Sequence, residues 1–193
     1  MRELEENIKR ILIEFKNKAE LMLDLAYSSL ILRDREIAEE VLKLEEYFDW
    51  LYTQFQLMVL TLTQKNSGKS EVFGLIRLSI AMETMADAAA KIAETVLRGL
   101  DLSVGGRLFS LIAEEGEEFV SVAQITENSK LVGKTIKDSN IEKDLDIQII
   151  AVRRGKKWYF DPPTDFKLEI GDVIVVRGYT EALDDIRRIA GGV

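Results

Sequence analysis

The sequence of 193 residues contains neither cysteine nor histidine. Without cysteine there is no disulfide, no thiolate nucleophile and no cysteine-ligated zinc or iron–sulfur centre. Without histidine the chain lacks the commonest general base and the commonest transition-metal ligand, so that any metal would be held by oxygen ligands. No glycine-rich loop that could cradle a phosphate follows a predicted strand. We therefore predict that the protein is not an enzyme, with a two-metal hydrolase built on carboxylates as the remaining enzymatic alternative.

Long hydrophobic runs and net positive charge are missing as well. No stretch of eighteen apolar residues occurs, and Met1 is followed at once by a charged helical pattern, so we expect neither a membrane-spanning helix nor a signal peptide. The formal net charge is −8, whereas nucleic acid is bound by basic surfaces. The composition therefore predicts a cytoplasmic protein that binds no nucleic acid, does not insert into a membrane, and reaches a membrane only through a partner.

The first half of the chain has helical periodicity. Hydrophobic residues make up 47% of the sequence, enough to bury a core, and between residues 4 and 98 they recur every three or four positions in three stripes. The stripes are interrupted near Asp34, a plausible N-cap, and at residues 66–68, a turn cluster, while Gly99 suits a C-cap. This pattern predicts an antiparallel bundle of three helices, each of about 30 residues and about 45 Å.

In the second half the hydrophobic period changes from helical to two. The pattern predicts strands over 119–125, 147–152, 158–160 and 173–176 and a closing helix over 181–189. Gly178 is predicted to end the last strand. We predict a two-domain α+β protein: a three-helix bundle over 1–100, a linker with a short helix over 101–116, and a small α+β domain over 117–193. A domain of this size would be stabilised by dimerisation.

Three blocks in the second half carry a resemblance to a known family. They are residues 129–136 (SKLVGKTI), 149–155 (IIAVRRG) and 168–178 (LEIGDVIVVRG). In this order they resemble the TrkA C-terminal domain (TrkA-C, or RCK-C), the C-terminal half of the RCK modules that gate potassium channels and transporters. The resemblance implies a homodimer whose two sheets meet around a small-ligand pocket, which in some relatives takes cyclic di-AMP. The nucleotide-binding Rossmann half of an RCK module is missing, which argues against NAD.

The candidate ligand contacts lie in the second of these blocks and just beyond the hairpin that follows it. They are Ile149, Ile150, Arg153, Arg154 and Pro162. The two arginines belong to a basic cluster in an otherwise acidic protein, and guanidinium groups bind phosphate in a forked geometry. The proline follows three consecutive aromatic residues, which offer faces for stacking. The alternative is that the basic hairpin is merely solvated and that the three aromatic residues pack in the core.

The helical half resembles a second family. Residues 22–26, 33–34 and 38–41 are similar to the first hairpin of PhoU proteins, and residues 83–94 are similar to the third helix, with its acidic Glu-x-x-x-Asp motif. PhoU proteins usually carry two three-helix repeats, whereas this chain has one, so that it resembles half of a PhoU protein. Pairing two chains would restore six helices. Together the two halves resemble archaeal-type regulatory proteins related to potassium channels.

Acidic pairs at helical spacing are the candidate metal ligands. Glu83 and Asp87 share one face of the third predicted helix, and Glu20 and Asp24 share one face of the first. PhoU relatives hold iron or zinc clusters with such motifs, whereas oxygen-only sites favour magnesium, calcium or manganese. The hypothesis is therefore a divalent or iron-type metal in the bundle. The alternative is that Lys91, four residues after Asp87, neutralises the row.

Two functions follow from the resemblances. The leading hypothesis is a cytoplasmic regulatory subunit of potassium or other cation transport, in which a small, nucleotide-like ligand such as a cyclic dinucleotide binds in the TrkA-C homodimer. Binding would shift the bundles against a membrane channel or transporter subunit. The alternative is a PhoU-type phosphate-signalling adaptor with a carboxylate metal site, in which the TrkA-C domain serves as the dimeriser.

Overall fold

Three long helices form the first part of the chain, as predicted. The structure, a computed structural model, describes residues 2–64, 69–99 and 118–191, and the chain divides into two units, Met1–Leu100 and Asp101–Val193. The helices are α1 (Arg2–Leu32), α2 (Arg35–Gln64) and α3 (Lys69–Leu97). The turn predicted at 66–68 and the linker with its short helix over 101–116 lie outside the described residues.

The core of the helical unit is built from the predicted stripes. Phe15 of α1 lies between two phenylalanines of α2, with its ring centroid 4.9 Å from that of Phe48 and 5.5 Å from that of Phe55. All three rings are inaccessible to solvent, and burying one such side chain stabilises the fold by about 1.5–3 kcal/mol. On α3 the buried positions are mostly alanines, which allow the other two helices to approach closely.

Two of the predicted helix ends are confirmed. The carboxylate of Asp34 accepts hydrogen bonds from the backbone N–H groups of Glu36 (2.9 Å) and Ile37 (3.2 Å), which makes it the N-cap of α2. Gly99 follows α3 with φ +65°, a left-handed conformation that glycine adopts without a steric penalty.

The second unit is a four-stranded antiparallel sheet in the order β1-β4-β2-β3. The strands are β1 (Glu118–Gln124), β2 (Gln148–Arg154), β3 (Lys157–Phe160) and β4 (Val173–Tyr179). The helices are α4 (Ile136–Ser139), α5 (Ile141–Leu145) and α6 (Leu183–Ile189), the last preceded by a 3-10 turn over Thr180–Ala182. The predicted strands and the closing helix are thus present, and the two-domain α+β fold class is confirmed.

The two faces of the sheet differ in what they contact. One face packs on a buried core that includes Ile149 and Val152 of β2. Between them the pairing of β2 with β4 shifts at a β-bulge, and the extra residue, Ile150, interrupts the alternation of side chains. As a consequence Ala151 and Arg153 belong to the other face, which we call the outward face of the sheet.

Gly178 does not end the last strand, and that prediction was wrong. The residue lies inside β4, where a Cβ atom would come within 2.9 Å of Cγ1 of Ile147 and 3.3 Å of the carbonyl oxygen of Asp146. Real Cβ atoms essentially never come as close as 2.9 Å to another side chain, so the glycine permits a close approach to the segment that leads into β2.

Candidate functional site

A row of planar groups occupies the outward face of the sheet at β2 and β3. Cross-strand pairing places Arg153 opposite Trp158 and Ala151 opposite Phe160, and directly opposed residues share a face. The guanidinium carbon of Arg153 lies 5.4 Å from the centroid of the Trp158 ring system. Trp158 and Phe160 are stacked, with centroids 5.7 Å apart and an interplanar angle of 12°. All three side chains are half-buried, and we call them the stacking row.

One polar atom of the stacking row is unsatisfied. The indole nitrogen Nε1 of Trp158 is buried and has no hydrogen-bond partner within the described part of the chain. Buried tryptophan N–H groups usually find an acceptor, and leaving a buried donor without one costs about 1–3 kcal/mol. An acceptor from outside could remove this cost only after the groups that cover the nitrogen had moved.

Arg154, the neighbour of Arg153, is engaged in a structural contact instead. Its Nε and Nη2 donate to the two carboxylate oxygens of the fully buried Asp172, both at 2.8 Å. It also donates to the carbonyl of Lys167 (2.7 Å) and forms an ion pair with Glu169 at 2.9 Å. The hydrogen bond to Asp172 is the main reason that the pKa of Arg154 is raised. We call the contact of Arg154 with Asp172, which joins β2 to the turn before β4, the clamp. A phosphate would have to compete with Asp172 for the guanidinium group of Arg154.

The other predicted ligand contacts divide by burial. Ile149 is part of the core, and Ile150 at the bulge is 2% exposed. The carbonyl of Ile150 accepts a hydrogen bond from the N–H of Asp161 at 3.0 Å, which positions the half-buried Pro162 beside it. Of the five predicted residues, only Arg153 and Pro162 therefore combine partial exposure with a side chain outside the clamp.

The three consecutive aromatic residues of β3 separate onto two faces. Tyr159 packs against the core, as the alternative interpretation of this segment predicted, whereas its two neighbours form the stacking row. Trp158 and Phe160 were not among the predicted contacts. The alternation of strand β3 was sufficient to find them, because residues at period two share a face with the arginine opposite them.

The acidic residues of the bundle meet across α2 and α3. Glu83 and Asp87 are half-buried on α3. The pKa of Glu45 on α2 is raised, first by burial and then by the negative charges of its neighbours, among them Asp49 and Asp87. The sequence contained a signal for this, since Glu45 and Asp49 are themselves four residues apart, but not for the pairing of the two helices.

Within the part of the chain that the structure describes, no third ligand joins the predicted metal pairs. On α1 Glu20 forms an ion pair with Lys16 at 3.0 Å, and Asp24 lies one turn further along the helix. In the ranges 2–64, 69–99 and 118–191, no group of three or more carboxylates is placed to hold a metal ion. Hard divalent cations take six or more oxygen ligands. The metal pairs Glu83 with Asp87 and Glu20 with Asp24 stay predictions.

Each half of the chain matches the model of a known protein family. Residues 12–96 match the PhoU domain, and residues 120–191 match the TrkA-C domain. The molecule is thus a two-domain protein with a helical bundle and a small α+β domain. More particularly, it consists of a PhoU domain followed by a TrkA-C domain, and both resemblances found in the sequence are confirmed. None of the described helices is long and apolar enough to cross a membrane.

Individual relatives match part of the chain. Potassium channel protein 1 of Methanocaldococcus jannaschii is 36% identical over 86 residues, which are 45% of this chain and 26% of the channel. The chain thus spans about a quarter of the channel's length. The RCK C domain of the potassium transport protein KtrA, in complex with cyclic diadenosine monophosphate, is 29% identical over 45% of this chain and 96% of that domain, with a TM-score of 0.35. The RCK_C domain dimer of S. agalactiae BusR, in complex with c-di-AMP, is 21% identical over 37% of this chain and 93% of that domain, also with a TM-score of 0.35.

Proposed function

We propose that the protein is a non-enzymatic, cytoplasmic regulatory subunit of potassium or other cation transport, in which a homodimer of the TrkA-C domain binds a small nucleotide-like ligand. The TrkA-C domain and the similarity to part of a potassium channel support the link to transport. The stacking row is the observation that carries the ligand-binding role, because it combines features that a nucleotide requires.

Each feature of the stacking row corresponds to a part of a nucleotide. The flat faces of Trp158 and Phe160 suit a planar base, and the charge of Arg153 suits a phosphate. A homodimer presents the row twice, related by a twofold axis. A cyclic dinucleotide, with two bases and two phosphates in a symmetric ring, is the ligand class that matches two copies of one site.

Regulation by such a ligand is a shift between two arrangements of the dimer. The ligand favours one arrangement only to the extent that it binds that arrangement more tightly. A tenfold preference corresponds to about 1.4 kcal/mol, and a nearly complete switch requires a preference of about 10⁴-fold. In this proposal the PhoU domains carry the shift to a channel or transporter subunit in the membrane.

Calorimetric titration of the full chain with cyclic dinucleotides and adenine nucleotides tests the ligand. We expect one of them to bind, and Arg153→Ala to weaken binding by about 10- to 100-fold, since hydrogen bonds to charged groups contribute about 1.5–3 kcal/mol. Lys156→Ala is the control, because this exposed residue of the same basic hairpin lies outside the stacking row. If none of the nucleotides binds at millimolar concentration while the protein remains dimeric, the sensing role is wrong.

A second candidate function rests on the acidic residues that meet across α2 and α3. The pKa of Glu45 is raised first by burial and then by the negative charges of neighbours that include Asp49 and Asp87, and a cation would relieve the second of these effects. This favours a PhoU-type phosphate-signalling adaptor with a metal in the bundle and the TrkA-C domain as dimeriser. Metal analysis of the purified protein and of a Glu83→Ala/Asp87→Ala variant tests it. Metal-free protein, together with a variant of unchanged properties, would rule this function out.

A further inference from the structure

The charges of the second unit are separated along its sheet. Four of the five residues from 153 to 157 are basic, and they form the end of β2, the turn after it and the start of β3. The segment that leads into β2, at the opposite end of the sheet, carries Glu142, Asp144 and Asp146. The two ends of β2, a strand of seven residues, lie about 20 Å apart at 3.3 Å per residue.

The contacts of Arg154 bring the basic end of the sheet into one surface. Lys157 lies directly opposite Arg154 across the hairpin. The guanidinium group of Arg154 also donates to the carbonyl of Lys167 (2.7 Å) and forms the ion pair with Glu169 at 2.9 Å. Ile170 follows Glu169 in the turn before β4 and is 60% exposed. We call the basic side chains around this point, together with the exposed isoleucine, the basic tip: Arg153, Lys156, Lys157, Lys167 and Ile170.

The acidic groups at this end of the sheet do not cancel the charge of the basic tip. Asp172 and Glu169 both pair with Arg154, at 2.8 and 2.9 Å, so these three groups together carry one negative charge. Among the described residues, the other exposed charges of the adjoining segments are equal in number and opposite in sign: Glu127, Asp165, Lys130 and Lys134. The acidic residues at the opposite end of β2 lie beyond the Debye length of about 8 Å in physiological salt. The tip therefore keeps a net positive charge.

We propose that the basic tip binds the anionic headgroups of a lipid membrane, with Ile170 reaching into the interfacial layer. Clusters of roughly four to eight lysines and arginines bind anionic lipid surfaces, and each such charge strengthens binding about fivefold. Peripheral binding is stable when an apolar contribution is added to the electrostatic one. The exposed isoleucine therefore favours a lipid surface over a polynucleotide, whose backbone offers charge alone.

This contact is separate from the proposed function. The proposed regulator reaches the membrane through a partner subunit, and the basic tip adds a direct contact with lipid. Only Arg153 belongs to both the basic tip and the stacking row. A failure of lipid binding therefore leaves the nucleotide site intact, and a failure of nucleotide binding leaves the lipid contact intact.

Flotation of the full chain with lipid vesicles tests the contact. We expect the protein to bind vesicles of phosphatidylglycerol and phosphatidylcholine in equal parts, and not vesicles of phosphatidylcholine alone. Binding should weaken when the salt concentration rises from about 0.1 M to about 1 M, because the Debye length falls from about 10 Å to about 3 Å. No binding to the anionic vesicles, or equal binding to both kinds, overturns the proposal.

An excess of glycerol 3-phosphate distinguishes a lipid surface from a soluble phosphate compound, because both offer the same anionic group. We expect the protein to stay on the anionic vesicles, since the compound provides neither the array of charges nor the apolar layer. Displacement would show that the basic tip takes a soluble phosphate compound, and the lipid contact would then be wrong.

Matched substitutions test whether the basic tip is the contact. Lys156→Glu should weaken binding about 25-fold, because it changes two unit charges at about fivefold each. Lys143→Glu makes the same change at an exposed position of α5, at the opposite end of the sheet, and should have little effect. Equal losses in the two variants would show that net charge governs binding and would refute the proposal.

A second pair of substitutions tests the apolar contribution. Ile170→Ser should weaken binding about tenfold, since most of this side chain would be transferred from water to the interfacial layer. Tyr179→Ser, at a position 44% exposed where β4 ends, is the control and should bind as the unchanged chain does. Circular dichroism checks that all variants remain folded. Unchanged binding of Ile170→Ser would show that charge alone holds the protein, which contradicts the proposed insertion.

Discussion

The clamp formed by Arg154 and Asp172 predicts a large and specific loss of stability in the second unit. Asp172 is fully buried, and two of its partners are the Nε and Nη2 groups of Arg154, each at 2.8 Å. Breaking a buried ion pair by removing one partner typically costs about 3–5 kcal/mol. The side chain of Arg154 is 32% exposed, so water screens the pair in part, and we expect about 2–3 kcal/mol for Arg154→Ala.

The asymmetry of the clamp sharpens this prediction. In Arg154→Ala the buried carboxylate of Asp172 still accepts a hydrogen bond from the backbone N–H of Glu169 (2.9 Å) but has lost its positive partner. Asp172→Ala leaves a guanidinium that still reaches solvent and Glu169 (2.9 Å). We therefore expect Arg154→Ala to destabilise the unit at least as much as Asp172→Ala, and the double variant to lose much less than the sum of the two, with a coupling energy of about 2 kcal/mol.

Urea unfolding followed by tryptophan fluorescence measures these energies. The chain has two tryptophans, one on α2 and one on β3, so that Trp50→Phe leaves Trp158 to report on the second unit alone. At a slope of about 1–1.5 kcal/mol/M for a domain of this size, Arg154→Ala should lower the midpoint by about 2 M. The control is the exposed pair Glu40–Lys43 on α2, 3.1 Å apart, followed through Trp50 in a Trp158→Phe background; it should show a coupling of at most about 0.5 kcal/mol. A similarly small coupling for Arg154 and Asp172 would refute the clamp.

Three further predictions concern stability. Burial and neighbouring negative charge raise the pKa of Glu45 in the folded state, so ionisation of this carboxyl opposes folding as the pH rises above about 4.5. Glu45→Gln should therefore stabilise the bundle by less than about 1 kcal/mol at pH 7 and have no such effect at pH 4. Thermal unfolding at the two pH values measures the difference. Gly178→Ala should destabilise the second unit by about 1–3 kcal/mol because its methyl group would overlap Ile147. Gly74→Ala, in α3, should stabilise the bundle by about 1 kcal/mol, because nothing lies within 4 Å of a Cβ atom at that position. If both variants behave alike in chemical unfolding, the packing argument is wrong. Asp34→Ala should cost the bundle about 1 kcal/mol through the loss of its N-cap hydrogen bonds, and an unchanged melting temperature would show that the cap contributes nothing.

The candidate ligand site shows where inference from sequence reached its limit. The strand predicted over 147–152 is present as β2, which extends to Arg154, yet the residues from Ile149 to Arg154 have three different roles. Ile149 is core, Arg154 is half of the clamp, and Arg153 belongs to the stacking row. A strict alternation would have placed Ile149 and Ala151 on one face. The bulge at Ile150 breaks that alternation, and it depends on how β2 pairs with β4, which is not a property of the strand alone.

Local patterns in the sequence determined the elements of this protein, and the tertiary structure decided which side chains meet. Spacings of three, four and two residues predicted the long helices and the strands, and Asp34 predicted the start of α2, because helix formation, strand alternation and capping depend on neighbours in the chain. The contact of Arg154 with Asp172 and the proximity of Glu45 to Asp87 join residues on different elements. Such contacts depend on pairing register and on helix packing, and these are selected by the burial of the whole core.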